Sequence, residues 1–125
     1  MAKRIFIASD HAGVSLKQII VELVKSSGLE AIDLGTGESK SVHYPHYSVK
    51  LAEAVKSDKE SKGIAICGSG IGIAIGIVKS GVACMAVQDR ISAELSLKKG
   101  IRIISLGERM IGREVALDIV RAVLE

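Results

Sequence analysis

Short runs rich in Ile, Val and Ala alternate along the chain with longer stretches whose apolar residues recur every three to four positions. Arg4-Ile5-Phe6-Ile7-Ala8 predicts a strand, and Ser9-Asp10-His11-Ala12-Gly13 the loop after it. From Val14 to Lys25, residues Leu16, Ile19, Ile20, Leu23 and Val24 fall at helical spacing. Ala31-Ile32-Asp33-Leu34 reads as a second strand, followed by a polar, turn-rich stretch from Gly35 to Ser41. Pro45 stands just ahead of a helix from Tyr47 to Lys56, a place that suits a helix start. Gly63-Ile64-Ala65-Ile66-Cys67 is apolar on successive residues, as a strand buried on both faces should be. Glycine-rich Gly68 to Gly72 opens the next helix. Val82 to Val87 then reads as strand, Asp89 to Leu97 as helix, Ile101 to Ser105 as strand and Gly112 to Leu124 as helix.

Five strands separated by helices imply right-handed crossovers and an α/β fold. The expectation is a three-layer, Rossmann-like, doubly wound sheet of five parallel strands, in one domain spanning residues 1–125. In such folds the ligand site lies beyond the carboxyl ends of the strands. The reactive residues concentrate there: Asp10 and His11 after the first strand, Cys67 and Ser69 after the third.

Composition narrows the function classes. Aromatic residues make up only 2% and Trp is absent, so the core rests on Ile, Val, Leu and Ala. The same scarcity argues against base stacking and hence against nucleic acid as a partner. The net charge of +3 comes from interspersed acids and bases, compatible with a small anionic substrate without requiring one. No apolar run approaches the roughly 18 residues of a membrane span. The N-terminus leads directly into a strand rather than through a signal peptide, and two cysteines without framework spacing suit a reducing cytoplasm.

Cys67-Gly68-Ser69-Gly70-Ile71-Gly72 places a thiol at a strand end and several glycines at a helix start. Glycines let backbone N–H groups approach a ligand, and the helix dipole there favours negative charge, a thiolate included. Cys67 is thus a candidate base, with nearby amides holding a developing enediolate oxygen. Equally, Cys67 can be a small buried hydrophobe and the glycines a means of close packing. Cys84, inside an apolar strand, reads as structural. A dinucleotide fingerprint is absent, because Ile73 and Ile75 occupy the candidate third-glycine positions. A Walker-type lysine is absent too. Asp10 suits either a hydroxyl contact or a helix cap. All three histidines, His11, His43 and His46, fall in polar stretches, but the short His43–His46 spacing has no supporting carboxylate or cysteine pattern. No metal site is expected.

Taken together, Ser9-Asp10-His11-Ala12-Gly13 with Leu16-Lys17, Asp33-Leu34-Gly35-Thr36, Tyr44-Pro45-His46-Tyr47, Ile66 to Gly72, and Leu106-Gly107-Glu108-Arg109 with Gly112 resemble the type B ribose-5-phosphate isomerases. That family also includes the galactose-6-phosphate isomerase subunits. The resemblance implies an aldose–ketose isomerase that interconverts ribose 5-phosphate and ribulose 5-phosphate. It casts Cys67 as the base that shuttles a proton between C1 and C2, and Ser69 as a helper moving a proton between the oxygens. The amides from Gly68 through Ser69, Gly70 and Ile71 to Gly72 would hold the enediolate. Asp10 would contact a hydroxyl or ring oxygen, Tyr44 the sugar, and His11 and Arg109 the phosphate. No metal or cofactor is implied, and family members are dimers or dimers of dimers with sites at the subunit interface.

Two parts of the family pattern have no counterpart. The His-Asn pair whose histidine opens the furanose ring is replaced by Leu97-Lys98-Lys99-Gly100-Ile101, which leaves Lys99 and His46 as substitutes. Family members also carry phosphate-gripping arginines in a tail beyond the last helix, whereas this sequence ends at Glu125; Arg90, Arg102 and Arg113 are the substitutes. Alternative readings are a catalytically impaired sugar-phosphate-binding protein of the same fold and an isomerase of a six-carbon sugar phosphate.

Overall fold

The computed structural model describes residues 2–35 and 44–125. Its elements in chain order are β1 (Arg4–Ser9), α1 (Val14–Ser26), β2 (Glu30–Asp33), α2 (Tyr44–Lys56), β3 (Ser61–Cys67), α3 (Ile71–Lys79), β4 (Cys84–Ala86), α4 (Arg90–Lys98), β5 (Ile103–Gly107) and α5 (Arg113–Leu124). A 3-10 turn, His11–Gly13, precedes α1. The strands form one sheet in the order β2-β1-β3-β5-β4, every neighbouring pair parallel. This is the doubly wound α/β sheet that the alternation of patterns predicts.

The unbroken apolar run of β3 is explained by two cores. Ile64 and Ile66 join Ile5, Ile7, Ile104 and Leu106 against Leu16, Ile20 and Val24 of α1 and Ile119, Val120 and Val123 of α5. The residues between and after them, Ala65 and Cys67, join Ala8 and Ile103 against Leu51 and Val55 of α2 and Ile73 and Ile77 of α3. Side chains alternate across a strand, so a strand covered on both sides needs apolar residues at every position.

Two boundaries differ from the sequence pattern in ways that matter. β5 runs on to Gly107 instead of ending at Ser105, because its ladder with β3 continues through Ile66–Leu106 and Cys67–Gly107. This brings Arg109 to within two residues of a strand end. α2 starts at Tyr44 rather than Tyr47, so Pro45 falls in its first turn, where a missing N–H costs the helix nothing.

The loops after β1 and β3 leave neighbouring strands for opposite faces, one toward α1 and the other toward α3. The loop after β5, on the other flank of β3, returns to the α1 side. The crevice where ligands bind in sheets of this kind is therefore expected at the carboxyl ends of β1 and β3, where the winding changes direction.

Beside that crevice lies an unusual burial. Lys17 of α1 is fully buried, its ammonium 2.9 Å from Asp33 Oδ1 at the end of β2. The contact is an ion pair rather than an aligned hydrogen bond. Removing one partner of a buried pair strands the other charge, whereas an apolar chain of similar size can be tolerated. Asp33 is half exposed, which moderates the cost. Asp33→Asn is expected to lower unfolding stability by about 2 kcal/mol and Lys17→Met by less than about 1 kcal/mol, as read by urea denaturation.

Candidate active site

Cys67 is the last residue of β3 and is 4% exposed. The backbone N–H of Gly70 donates to its Sγ at 3.1 Å. The loop thus points a backbone donor at this sulfur. Ser69 Oγ accepts from Ile71 N–H, the first amide of α3, at 3.2 Å. Two of the five amides expected to hold an enediolate are thus engaged within the loop.

The loop keeps this shape by resting directly on β5. A β-carbon on Gly107 would lie 2.5 Å from the carbonyl carbon and oxygen of Ser69, and one on Gly70 would lie 2.9 Å from the carbonyl carbon of Leu106. Only residues without side chains permit that approach. Ser105, buried in β5, donates its hydroxyl to Gly70 O at 2.7 Å, and Ser48 of α2 donates to Ile73 O at 3.1 Å. Neither serine stands out in the sequence, since each partner lies more than 20 residues away.

The loops on either flank are tied to the same place. Asp10 N–H donates to Ile66 O at 3.1 Å, and Asp10 Oδ1 accepts from Ala12 N–H at 2.9 Å. Asp10 therefore does cap, but it caps the 3-10 turn ahead of α1 rather than α1 itself. His11 opens that turn, half-buried, its Nδ1 without a hydrogen-bond partner among the described residues. On the β5 side, Glu108 N–H donates to Cys67 O at 2.8 Å and Arg109 N–H to Gly68 O at 3.0 Å. The Arg109 guanidinium lies against Gly68, with Nη1 3.4 Å from where a β-carbon would stand. Asp10, His11, Cys67, Ser69 and Arg109 thus come together at one end of the sheet.

The other candidates divide. His46, exposed on the first turn of α2, stands at this same end and meets Tyr47 edge to face. His43 lies outside the described residues, and of Tyr44 only the backbone at the start of α2 is described. Lys99 caps the far end of α4, just ahead of β5, at the opposite end of the sheet from Cys67. Arg102 spends its guanidinium on the carbonyls of Val55, Asp58 and Ser61 at that opposite end, and Arg90 pairs with Asp118 and Glu125. Neither is placed for a phosphate at Cys67. Arg113 lines a groove of about 200 Å³ with Ser15 and Glu108, beside the start of α1. Among the described residues, no three His, Cys, Asp or Glu side chains gather as a metal site. Burial pushes the Cys84 thiol up to about 12, which keeps it protonated and unreactive near neutral pH.

A family model described as Ribose/Galactose Isomerase matches residues 5–125. The chain belongs to that family. Within the ribose/galactose isomerases it is 38% identical over 122 residues to the ribose-5-phosphate isomerase B of Escherichia coli, covering 96% of this chain and 82% of that one. The structure of the Clostridium thermocellum ribose-5-phosphate isomerase B superposes with a TM-score of 0.93 at 42% identity, over 98% of this chain and 84% of the other. The Mycoplasma genitalium ribose-5-phosphate isomerase B, solved with bound ribulose-5-phosphate, gives a TM-score of 0.92 at 32% identity, over 98% and 83%. The family's five-stranded architecture and this chain's agree through the whole sheet.

The close approach of β5 to the cysteine loop makes a direct prediction. Gly107→Ala is expected to cost about 1–3 kcal/mol of stability through overpacking. Gly112→Ala, where nothing stands within 4 Å, is expected to stay within about 0.5 kcal/mol of wild type. Urea unfolding of the two variants side by side checks this.

Proposed function

We propose that this protein interconverts ribose 5-phosphate and ribulose 5-phosphate, with Cys67 as the base. The observation that carries the reading is the sulfur of Cys67 at the end of β3, held under the Gly70 N–H between the Asp10–His11 loop and Arg109. In the forward direction the thiolate takes the proton from C2 of the open-chain aldose. The C–H electrons form the C1–C2 double bond of an enediolate, and O1 takes the negative charge. Loop amides stabilise that oxygen, and Ser69 helps carry the proton from O2 to O1. The Cys67 thiol then returns its proton to C1, leaving the ketone at C2. His11 and Arg109 hold the phosphate and Asp10 a hydroxyl. Neither metal nor cofactor enters the proposed reaction.

His46 is the candidate for ring opening within the chain; Lys99 reaches such a site only from another copy. The relatives' names and the ribulose-5-phosphate bound to the Mycoplasma genitalium structure support a five-carbon substrate. A six-carbon sugar phosphate is the second reading, favoured by the galactose in the family's description. No helix of the described residues is long and apolar enough to cross a membrane, and a cytoplasmic setting, suited to the two free cysteines, is part of the proposal.

The deciding experiment is conversion of ribose 5-phosphate to ribulose 5-phosphate by purified protein, with six-carbon aldose phosphates in parallel. Cys67→Ala is expected to lose at least about 100-fold in turnover, the scale of a missing general base, while Cys84→Ala stays near wild type. Folded wild type that binds the sugar phosphate without converting it would instead support a binding protein.

We also propose a homodimer formed through the face of α3 and β4. Ile71, Ile75 and Val78 on one side of α3 are each 51–54% exposed and line one groove with Cys84 and Ala86 of β4. β4 is also a sheet edge, and an apolar patch on an edge calls for cover. Ile75→Asp is expected to give monomers by sedimentation analysis where wild type gives dimers; a monomeric wild type would overturn the assignment.

A further inference from the structure

α1 begins without a cap of its own. Its N-cap residue is Gly13, which offers no side chain, and its first turn holds no acidic residue. Four amides at a helix start need partners, and the helix dipole favours negative charge there. The partner comes from 92 residues along the chain. Glu108 Oε1 accepts from Leu16 N–H at 2.9 Å and from Ser15 Oγ at 3.2 Å.

Glu108 also holds the other flank of the crevice. Its backbone N–H donates to the carbonyl of Cys67 at 2.8 Å, and the next residue, Arg109, is bonded to Gly68 O and lies against Gly68. The start of α1 continues directly from Asp10 and the turn that begins at His11. One residue therefore ties the Asp10–His11 loop, the Cys67 loop and the Arg109 loop together, with its backbone on one and its carboxylate on another. No other described side chain joins the β5 loop to the start of α1 by hydrogen bonds.

We propose that Glu108 is a positioning residue for the isomerisation: its carboxylate, by capping α1 from the β5 loop, sets the spacing between Asp10–His11 and Cys67–Arg109. This rests on the isomerase reading and its assignment of His11 and Arg109 to the phosphate. The cap is a matter of acceptor position, so shortening the side chain harms it while an amide oxygen at the same reach preserves it. A misplacement of about 1 Å in a site of this kind is worth up to about 100-fold in rate.

The test is steady-state kinetics on ribose 5-phosphate for wild type, Glu108→Ala, Glu108→Gln and Glu108→Asp, well below each variant's melting temperature. Glu108→Ala and Glu108→Asp are expected to raise KM about 10-fold or more, with a smaller change in kcat. Glu108→Gln is expected to stay within about threefold of wild type. Hydrogen exchange is expected to show the Leu16 amide losing protection in the Ala and Asp variants and keeping it in Gln. A merely structural role would lower melting temperatures and leave KM unchanged. Unchanged KM in Glu108→Asp overturns the proposal, as does a Gln variant as impaired as Asp; if Glu108→Ala does not fold, this pair still decides. A wild type without turnover overturns the isomerase reading first, an outcome visible before any variant is compared.

Discussion

The contact between the loop after β3 and the last residues of β5 is the constraint on which the site depends. Ser69 and Gly70 lie on Leu106 and Gly107 at distances that leave no room for a β-carbon on either glycine. The approach turns the Gly70 N–H toward the Cys67 sulfur and lets Ser105 take up the Gly70 carbonyl. It also places the residues that follow β5, Glu108 and Arg109, on the carbonyls of Cys67 and Gly68. A side chain at either glycine would lift the loop, and the sulfur, the amides and the arginine would lose their common frame. Backbone hydrogen bonds keep their geometry only at fixed separation, so the packing of two glycines is translated directly into the chemistry available at one thiol.

Much of this was legible in the chain itself. The alternation of periods gave the five strands and their parallel class, and a buried third strand was visible in the unbroken Ile64-Ala65-Ile66-Cys67 run. The gathering of Asp10, His11, Cys67 and Ser69 at strand ends follows from topology alone, because consecutive strands of a parallel sheet all end on the same side. What local patterns do not carry is pairing across distance. The extension of β5 to Gly107 depends on its register with β3, and the cap on α1 depends on a glutamate 92 residues away. Ser48 and Ser105 are ordinary serines until the carbonyls they satisfy are known. Asp10 could be read as a cap or as a ligand for substrate; it caps the short 3-10 turn that leads into α1.

The positive charge of the chain illustrates the same limit. Seventeen Lys and Arg residues against fourteen Asp and Glu suggest cations to spare for a phosphate. Yet Arg102 is consumed by main-chain carbonyls, Arg90 by Asp118 and Glu125, Arg4 by Asp58, and Lys17 by Asp33. These groups hold the lower sheet, the α4–α5 seam and the exit of β2. An arginine whose fork is already filled by fixed acceptors would have to break them to bind a mobile anion, at the cost of leaving those carbonyls or carboxylates unpaired. Charge that stabilises the scaffold is thereby unavailable to the ligand; Arg109 lies against the Cys67 loop, and Arg113 lines the groove beside the start of α1.

α3 joins the two halves of the proposed function. Its first amide is met by Ser69 and preceded by the amide that meets Cys67, while its outer side carries Ile71, Ile75 and Val78 toward solvent. A helix apolar on nearly every side is unusual for a surface element and suits burial all round. Covering that outer side would hold the whole helix, and with it the Gly70 and Ile71 amides that its first turn fixes, against small rotations. In a chain with only three aromatic residues, packing between small aliphatic surfaces is the available means of rigidity. Association of copies through α3 would therefore act on the thiol's surroundings even if the second copy contributed no side chain to them.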